Sequence, residues 1–317
     1  MLKNELGRKW RDIPWADVLE KSAHADKYFM RSGLIRKDLL PLYAAEYMPK
    51  TFVVKSMDSI NEIIPLMEEE DKHASNDVWV LKLSDSSNAY GIHFFHRKDA
   101  SSLAYIVQDG QTRVVQKNVQ SALFNGRKFH VRVLVLAVGH LDVYVYDRSR
   151  VLVASAPYSP TASLTDALVH ITNMGVNQAR NDLYDSAVQN MALSDVFSPD
   201  LVATAMDQVH AICRDTFRRV STNRRHFFSL PNCYELFGLD FMIDDGGRVL
   251  LLEVNPDPSL GMFYRQGEVE TPILPRDVLV DGAPPSFVQV YSRSQDEAFA
   301  LLKARWSAEC RGEEAQA

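Results

Sequence analysis

ELFGLDFMIDDGGRVLLLEVNPDPSLG, residues 235 to 261, contains two apolar, partly β-branched runs separated by Asp-Asp-Gly-Gly at 244 to 247. Such runs flanking residues that tolerate positive φ predict a β-hairpin, with strands over 236 to 244 and 249 to 255. Centring the turn on Gly246 and Gly247 pairs Asp245 with Arg248. Counting outward then sets Asp240 opposite Glu253 and Gly238 opposite Asn255. Side chains alternate along a strand and opposed residues share a face, so Asp240, Glu253 and Asn255 converge on one side of the hairpin. Two facing carboxylates repel unless a cation or a proton lies between them. Hard oxygen donors suit Mg²⁺, which commonly takes further ligands from a nucleotide phosphate. The alternative is a solvated hairpin with an acidic outer face. Against it, Leu250, Leu251, Leu252 and Val254 leave the second strand little polar surface, which puts Glu253 and Asn255 where unpaired charge is costly. The hairpin is therefore expected to carry a metal or active site.

The rest of the composition fits a globular chain of ordinary size. At 317 residues and 46% hydrophobic it can bury a substantial core, as one large or two to three smaller packed units. The 3 cysteines, Cys213, Cys233 and Cys310, are too few and too scattered for a disulfide framework or a zinc site, which implies a reducing compartment. No run approaches the length of a membrane span, and the first fifteen residues have no signal-peptide core. A soluble, cytoplasmic protein with no membrane partner is expected. A formal charge of −6 argues against broad nucleic-acid affinity.

Taken in order, residues 1 to 50 are expected to be mainly helical, with amphipathic helices over 15 to 30 and 37 to 47, ending at Pro49. A strand over 51 to 54 precedes a helix that Ser56 or Asp58 can cap, running to about Glu70. Strands over 78 to 83, 91 to 95 and 112 to 116 follow, with a short helix over 99 to 107. From 129 to 146 the pattern becomes an antiparallel meander joined at Gly139 and His140, with a further strand near 151 to 154. Pro199 opens a long helix to about Val220. After the hairpin come a helix beyond Pro258, a linker-like segment over 272 to 285, a closing helix over 294 to 311, and a frayed tail. This alternation, the meander and the acidic hairpin together predict a mixed α/β nucleotide-binding enzyme.

Six segments occur in the order seen in one family: WVLK (79 to 82), VVQK (114 to 117), GRKFHVRVLVL (126 to 136), HITN (170 to 173), LFGLDFMID (236 to 244) and LLEVNPDPSL (251 to 260). Over residues 30 to 265 the chain resembles, as a divergent member, the tubulin–tyrosine ligase family of the ATP-grasp superfamily. The resemblance implies an α/β fold in which two subdomains hold ATP between two sheets. It divides the chain into a helical N-terminal region (1 to 50), a central subdomain (51 to 122), a C-terminal subdomain (123 to 305) and a tail (306 to 317).

It also implies roles. ATP-grasp ligases transfer the γ-phosphoryl group to a carboxylate, and an amine then displaces it, chemistry in which charge neutralisation dominates. Lys82 would meet the α- and β-phosphates, or sit as a surface lysine at a strand end. Gln116 and Lys117 would meet adenine at the hinge, or face water on an edge strand. Lys128, His130 and Arg132 share one strand face by their spacing. The resemblance places Lys128 and Arg132 near the γ-phosphate and the acceptor carboxylate, where Arg offers bidentate donors. Asn173 either contacts the nucleotide or caps a turn or helix. Asp240, Glu253 and Asn255 match the family's metal ligands, and Glu253 is the expected catalytic carboxylate. Lys37, in LIRK (34 to 37), lies where a family lysine can reach phosphate.

Three departures accompany the match. His130 replaces an aspartate that helps order the nucleotide, and an imidazole supplies no fixed negative charge. The phosphate loop LSDSSNAY (83 to 90) lacks the usual glycines. An ungapped match puts Leu152 where the tyrosine ligase has an acceptor-gripping arginine, which Arg148 or Arg150 would have to replace. The implied activity is ATP- and Mg²⁺-dependent joining of a free amino acid to a protein acceptor such as the acidic tail of tubulin, which arginines 214, 218, 219, 224 and 225 could receive. The alternatives are a non-catalytic ATP- or tubulin-binding relative and a small-molecule ligase resembling glutathione synthetase.

Overall fold

The short alternating elements after residue 50 close into a small antiparallel sheet. They are β1 (Thr51–Val54), α1 (Met57–Asp71), β2 (Val78–Leu83), β3 (His93–His96) and β4 (Arg113–Lys117), in spatial order β1-β4-β2-β3. The molecule is a computed structural model, and it describes residues 3–4, 8–74, 76–86, 89–107, 110–180, 186–263, 278–297 and 300. Helix α1 starts at the expected cap: the Ser56 hydroxyl accepts the Ser59 N–H, and the Ser59 hydroxyl accepts the Ser56 N–H. Ile60, Ile63 and Met67 recur at helical spacing and bury against Trp79, Leu81, Phe95 and Val115. Strand alternation leaves the other face of this sheet, with Val80, Lys82 and Gln116, toward a cleft.

The second sheet is built on β5 (Arg127–Val138), with β6 (Asp142–Tyr146), β7 (Arg150–Val153), β8 (Asn190–Ala192), β9 (Tyr234–Ile243), β10 (Val249–Pro256) and β11 (Phe287–Ser292) around it. Strand β9 runs antiparallel along one edge of β5. The other edge is shared, by β7 beside its first half and by β6 beside its second. Nearly all of β5 is buried, because both faces of the sheet are covered. On one face Val131, Val133, Val135, Phe237, Leu239 and Phe241 pack beneath α2 (Pro199–Val220), which spans the predicted length. On the other, Leu134, Leu136 and Leu152 pack with Met262, Phe263 and Phe287. The first half of that second face carries Lys128 and His130, which line the cleft, and Arg132, which reaches it through Asp240.

Several expectations change. The helix over 15 to 30 is one turn, Trp15–Leu19. Beyond it Lys21 adopts a φ of 61°, and the Asn232 amide donates to the carbonyls of Val18 and Ala23 at 2.8 and 2.6 Å. Ala23–His24 pairs with Lys3–Asn4, and Ala25 bridges to Cys233, so tertiary hydrogen bonds override local helical preference. The 37 to 47 helix shortens to Pro41–Ala44 and a 3-10 turn, Ala45–Tyr47. These N-terminal residues share one core with α2 and the large sheet. Strand β11 falls in a stretch given no element by its sequence, although Phe287, Gln289 and Tyr291 alternate with valines. Beyond Pro258 there is a 3-10 turn at Gly261–Phe263. Residues 264 to 277 lie outside the described residues; the rest of the expected linker opens with a helical turn, Val278–Asp281, and most of the closing helix again lies outside them. No helix among those described is long and apolar enough to cross a membrane.

Candidate active site

Where the two sheets face each other they form an open cleft lined from both sides. On the small sheet, Lys82 Nζ donates to Gln116 Oε1 at 2.6 Å, and Gln116 Nε2 donates to Thr51 Oγ1 at 2.9 Å. Burial lowers the Lys82 ammonium to about 8. Lys117 also borders the cleft, but its ammonium goes to the opposite face of β4. There it lies 2.7 Å from Asp71 Oδ1 at the end of α1 and 5.1 Å from the Trp79 ring centre. Gln116 and Lys117 are adjacent on a strand, so only one of the two side chains can point at a nucleotide.

On the large sheet, Lys128, His130 and Arg132 share a face, as their spacing predicts. Lys128 Nζ lies 4.6 Å from the Tyr158 ring centre and 3.4 Å from His170 Nδ1, and burial lowers its ammonium to about 8. His130 Nδ1 is 2.6 Å from Thr172 Oγ1, and its Nε2 is 3.5 Å from Asp240 Oδ1. Arg132 grips Asp240 with both arms, Nε to Oδ1 and a terminal nitrogen to Oδ2 at 2.9 Å. Burial alone would raise the Asp240 carboxyl, but Arg132 and His130 outweigh it and hold the group well below the usual carboxylate range. Cross-strand pairing underlies this contact, since Asp240 sits directly opposite Arg132.

The hairpin delivers the expected pairs by a different route. Asp240 lies opposite Glu253 and Gly238 opposite Asn255. The turn, however, closes one residue wider than the two-residue loop expected: the Asp244 N–H donates to the Arg248 carbonyl at 2.9 Å, leaving residues 245 to 247 as the loop, and Gly247 takes a φ of 82°. A bulge between Asp240 and Phe241, with Leu252 as the extra residue, restores the count before Glu253. The three polar ends meet: Asn255 Nδ2 donates to Asp240 Oδ2 at 3.1 Å and to Glu253 Oε1 at 3.2 Å. Lys37 Nζ completes the group, 3.2 Å from Glu253 Oε2, and donates to the Ser86 carbonyl at 2.6 Å. Lys37 is 9% exposed, and its only signal in the sequence is its place in LIRK.

This donor set fits a divalent cation. Two carboxylates and an amide supply hard oxygens at one point, and the Asn255 –NH₂ stands between the carboxylates where a cation would; rotating that amide presents Oδ1 instead. Asn173 lines the cleft, and its side chain also caps a helix, accepting the Val176 N–H at 3.4 Å. Leu152 lies on the cleft face opposite His130. Arg150 donates to Asn190 Oδ1 at 2.9 Å and to the Asn190 carbonyl at 2.7 Å, and Arg148 is exposed in the turn before β7. The arginine-rich end of α2 is behind the large sheet: Arg214 and Arg218 pair with Asp215, and Arg219 pairs with Glu46. An acidic tail held there would lie on the far side of the sheet from Glu253.

A model of the tubulin-tyrosine ligase family matches residues 19–281. The probable tubulin–tyrosine ligase PBY1 of Saccharomyces cerevisiae is 31% identical over 220 residues, 65% of this chain and 28% of that protein. The probable tubulin–tyrosine ligase C12B10.04 of Schizosaccharomyces pombe is 27% identical over 314 residues, 79% of this chain and 75% of that one. The probable tubulin polyglutamylase ttll-9 of Caenorhabditis elegans is 25% identical over 230 residues, 68% of this chain and 52% of its own length. The chain thus spans little more than a quarter of the first of these. The crystal structure of the C-terminal domain of K. lactis Pby1, described as an ATP-grasp enzyme interacting with the mRNA decapping enzyme Dcp2, superposes with a TM-score of 0.63 at 20% identity, covering 92% of this chain and 88% of that one. The fold is therefore ATP-grasp.

Proposed function

Since this chain belongs to the tubulin-tyrosine ligase family, we propose that it is an ATP- and Mg²⁺-dependent carboxylate–amine ligase that joins an amino acid to a protein acceptor. One observation carries the reading: cations from both sheets and from the N-terminal segment (Lys82, Lys128, Arg132 and Lys37) surround the Asp240–Glu253–Asn255 cluster in a single cleft. ATP, when bound, supplies a γ-phosphoryl group that turns a carboxylate into an acylphosphate, from which an amine displaces phosphate to form the amide.

Each side chain then has a task. Lys82 binds the α- and β-phosphates, and Gln116 orients adenine at the hinge, with Lys117 contributing main chain alone. Lys128 and Arg132 neutralise charge on the transferring group and the acceptor carboxylate, acting in a partly buried site where such charges count most. Arg132 would exchange Asp240 for substrate oxygens, and Asp240, Glu253 and Asn255 would hold Mg²⁺, which would supply charge neutralisation at the phosphates. His130 and Asn173 contribute hydrogen bonds at the nucleotide. In this reading residues 51 to 122 and 123 to 305 are the two grasping halves, and the protein works in the cytoplasm.

Glu253→Gln is expected to abolish ATP-dependent amide formation while circular dichroism shows the fold retained. A fully active variant, or equal nucleotide affinity with and without Mg²⁺, sinks the proposal. The names of relatives point to tubulin as a modified protein, and K. lactis Pby1 is described as interacting with a decapping enzyme, so both proteins belong in the assay as trial acceptors alongside pooled amino acids. A second reading, nucleotide binding without turnover, draws on His130 and on the apolar Leu152 facing it across the strands. Binding of MgATP with no ADP release for any acceptor selects that reading. Turnover with free amino acids alone selects a small-molecule ligase.

A further inference from the structure

His170 is a shared wall between the cleft and a second chamber. Its Nε2 lies 3.1 Å from the Ser163 carbonyl, which can only accept, so Nε2 carries the proton and Nδ1 presents a lone pair to Lys128 Nζ at 3.4 Å. The ring also meets Phe94, with centroids 5.1 Å apart, and the edge of Tyr158, 6.1 Å away. Beyond His170 and Phe94 the second chamber opens between β3, the outer strand of the small sheet among the described residues, and residues 164–176. Tyr90, Phe94, Leu164, Ala167, Ile171 and Val176 give it an apolar wall. Its polar lining residues include His93, Thr165 and His170, and among the described residues no Lys, Arg, Asp or Glu lines it.

The contrast with the cleft is chemical. The cleft is crowded with paired charges, whereas the described lining of the chamber carries no Lys, Arg, Asp or Glu to pair with a carboxylate or an ammonium, and burying either without an ionic partner is costly. The two spaces are continuous: Ala89, Ile92, Phe94, His170 and Ile171 line both. A carboxylate held at Lys128 therefore has the chamber on the far side of the His170 ring. Strand β3, which supplies His93 and Phe94, is the outer strand of its sheet among the described residues, so an extended peptide can lie along it.

We propose that this chamber receives an uncharged apolar side chain of the protein acceptor, next to the carboxylate that the acceptor presents at Lys128. The proposal rests on the ligase reading, and names for it an acceptor whose modified carboxylate is flanked by a residue such as leucine rather than by further acidic residues.

The test uses fluorescein-labelled tetrapeptides ending in glutamate and differing only in the preceding residue, Leu, Ala or Glu, with binding followed by anisotropy on the full chain with and without MgADP. The Leu peptide is expected to bind roughly tenfold more tightly than the Ala peptide, the scale set by burying one leucine side chain, with the Glu peptide weakest. Val176→Asp and, as a milder variant, Leu164→Gln should each erase the Leu preference, with MgATP binding in parallel reporting that they fold. Equal affinity for the three peptides, or a preference that survives in both variants, overturns the assignment. So does side-chain selectivity that appears only toward free amino acids. Absence of MgATP binding by the unaltered protein would refute the ligase reading separately, because peptide binding without nucleotide still reports on the chamber.

Discussion

Glu235 is a buried carboxylate that the cleft chemistry does not use. It is 2% exposed, accepts the Tyr28 N–H at 3.0 Å and lies 3.1 Å from Arg31 Nε. Burial pushes its carboxyl up to about 8, and Arg31 and the Tyr28 N–H offset only part of that. The unfolded chain releases this proton near pH 4.3, so between there and about 8 the native state holds a proton that the unfolded state has lost. This contribution to stability is complete below the unfolded value and is lost as pH rises toward the folded one, by up to about 1.4 kcal/mol per pH unit. Urea denaturation from pH 5 to 8 should therefore show the unaltered protein losing stability relative to Glu235→Gln, and parallel curves would contradict the assignment. Gly238 makes a different demand. A Cβ there would stand 2.9 Å from the Pro258 Cβ and 3.3 Å from the Arg132 Cδ. Gly238→Ala should cost about 1 to 3 kcal/mol and disturb the Arg132–Asp240 pair, so a loss of nucleotide affinity should accompany the lower stability.

At the scale of elements, β4 shows what alternation decides. Gln116 faces the cleft and Lys117 faces α1, where Asp71 also accepts from Arg97 at 2.9 Å and from the Trp79 indole at 3.1 Å. Lys117→Met should accordingly destabilise the small sheet by up to about 3 kcal/mol, because a buried acid loses one partner. Its effect on MgATP affinity should be slight. A large loss of affinity with unchanged stability would put that ammonium back in the cleft. The two neighbours were read together in the sequence because a family motif names both, whereas the strand's own period separates them. The hairpin is the complementary case. Its pairing at Asp240 and Glu253 could be read from a symmetric turn, yet the real turn is one residue wider and the Leu252 bulge compensates. A bulge inside an apolar run has no signature in residue type, so that compensation was not legible. Strand β11 was legible and passed over, while the extended course of residues 20 to 30 depends on hydrogen bonds to β9, which no local pattern reveals.

Across the whole molecule, the N-terminal segment belongs energetically to the large sheet. Tyr28, Leu34, Leu40 and Tyr43 fill the same core as Phe217 and Phe237, so the segment bearing Lys37 cannot be removed without opening that core. The segment also reaches the small sheet, because the Lys37 N–H donates to the Ser84 carbonyl at 3.2 Å and the Asp38 N–H to Ser84 Oγ at 3.2 Å. A ligand gripping both sheets should raise the stability of the entire chain, by about 2.7 kcal/mol when MgATP stands at a hundred times its dissociation constant. Two thermal transitions with only one responding would argue against a shared grip.

The pairing of Arg132 with Asp240 and of Lys37 with Glu253 bears on how the protein responds to electrolyte. A groove of naked ammonium groups attracts phosphate through a field that dissolved ions readily screen, whereas here each of these two cations already has an internal counterion and binding swaps one close partner for another. Nucleotide affinity should then weaken only gently between about 0.05 and 0.5 M sodium chloride, where the screening length shrinks severalfold.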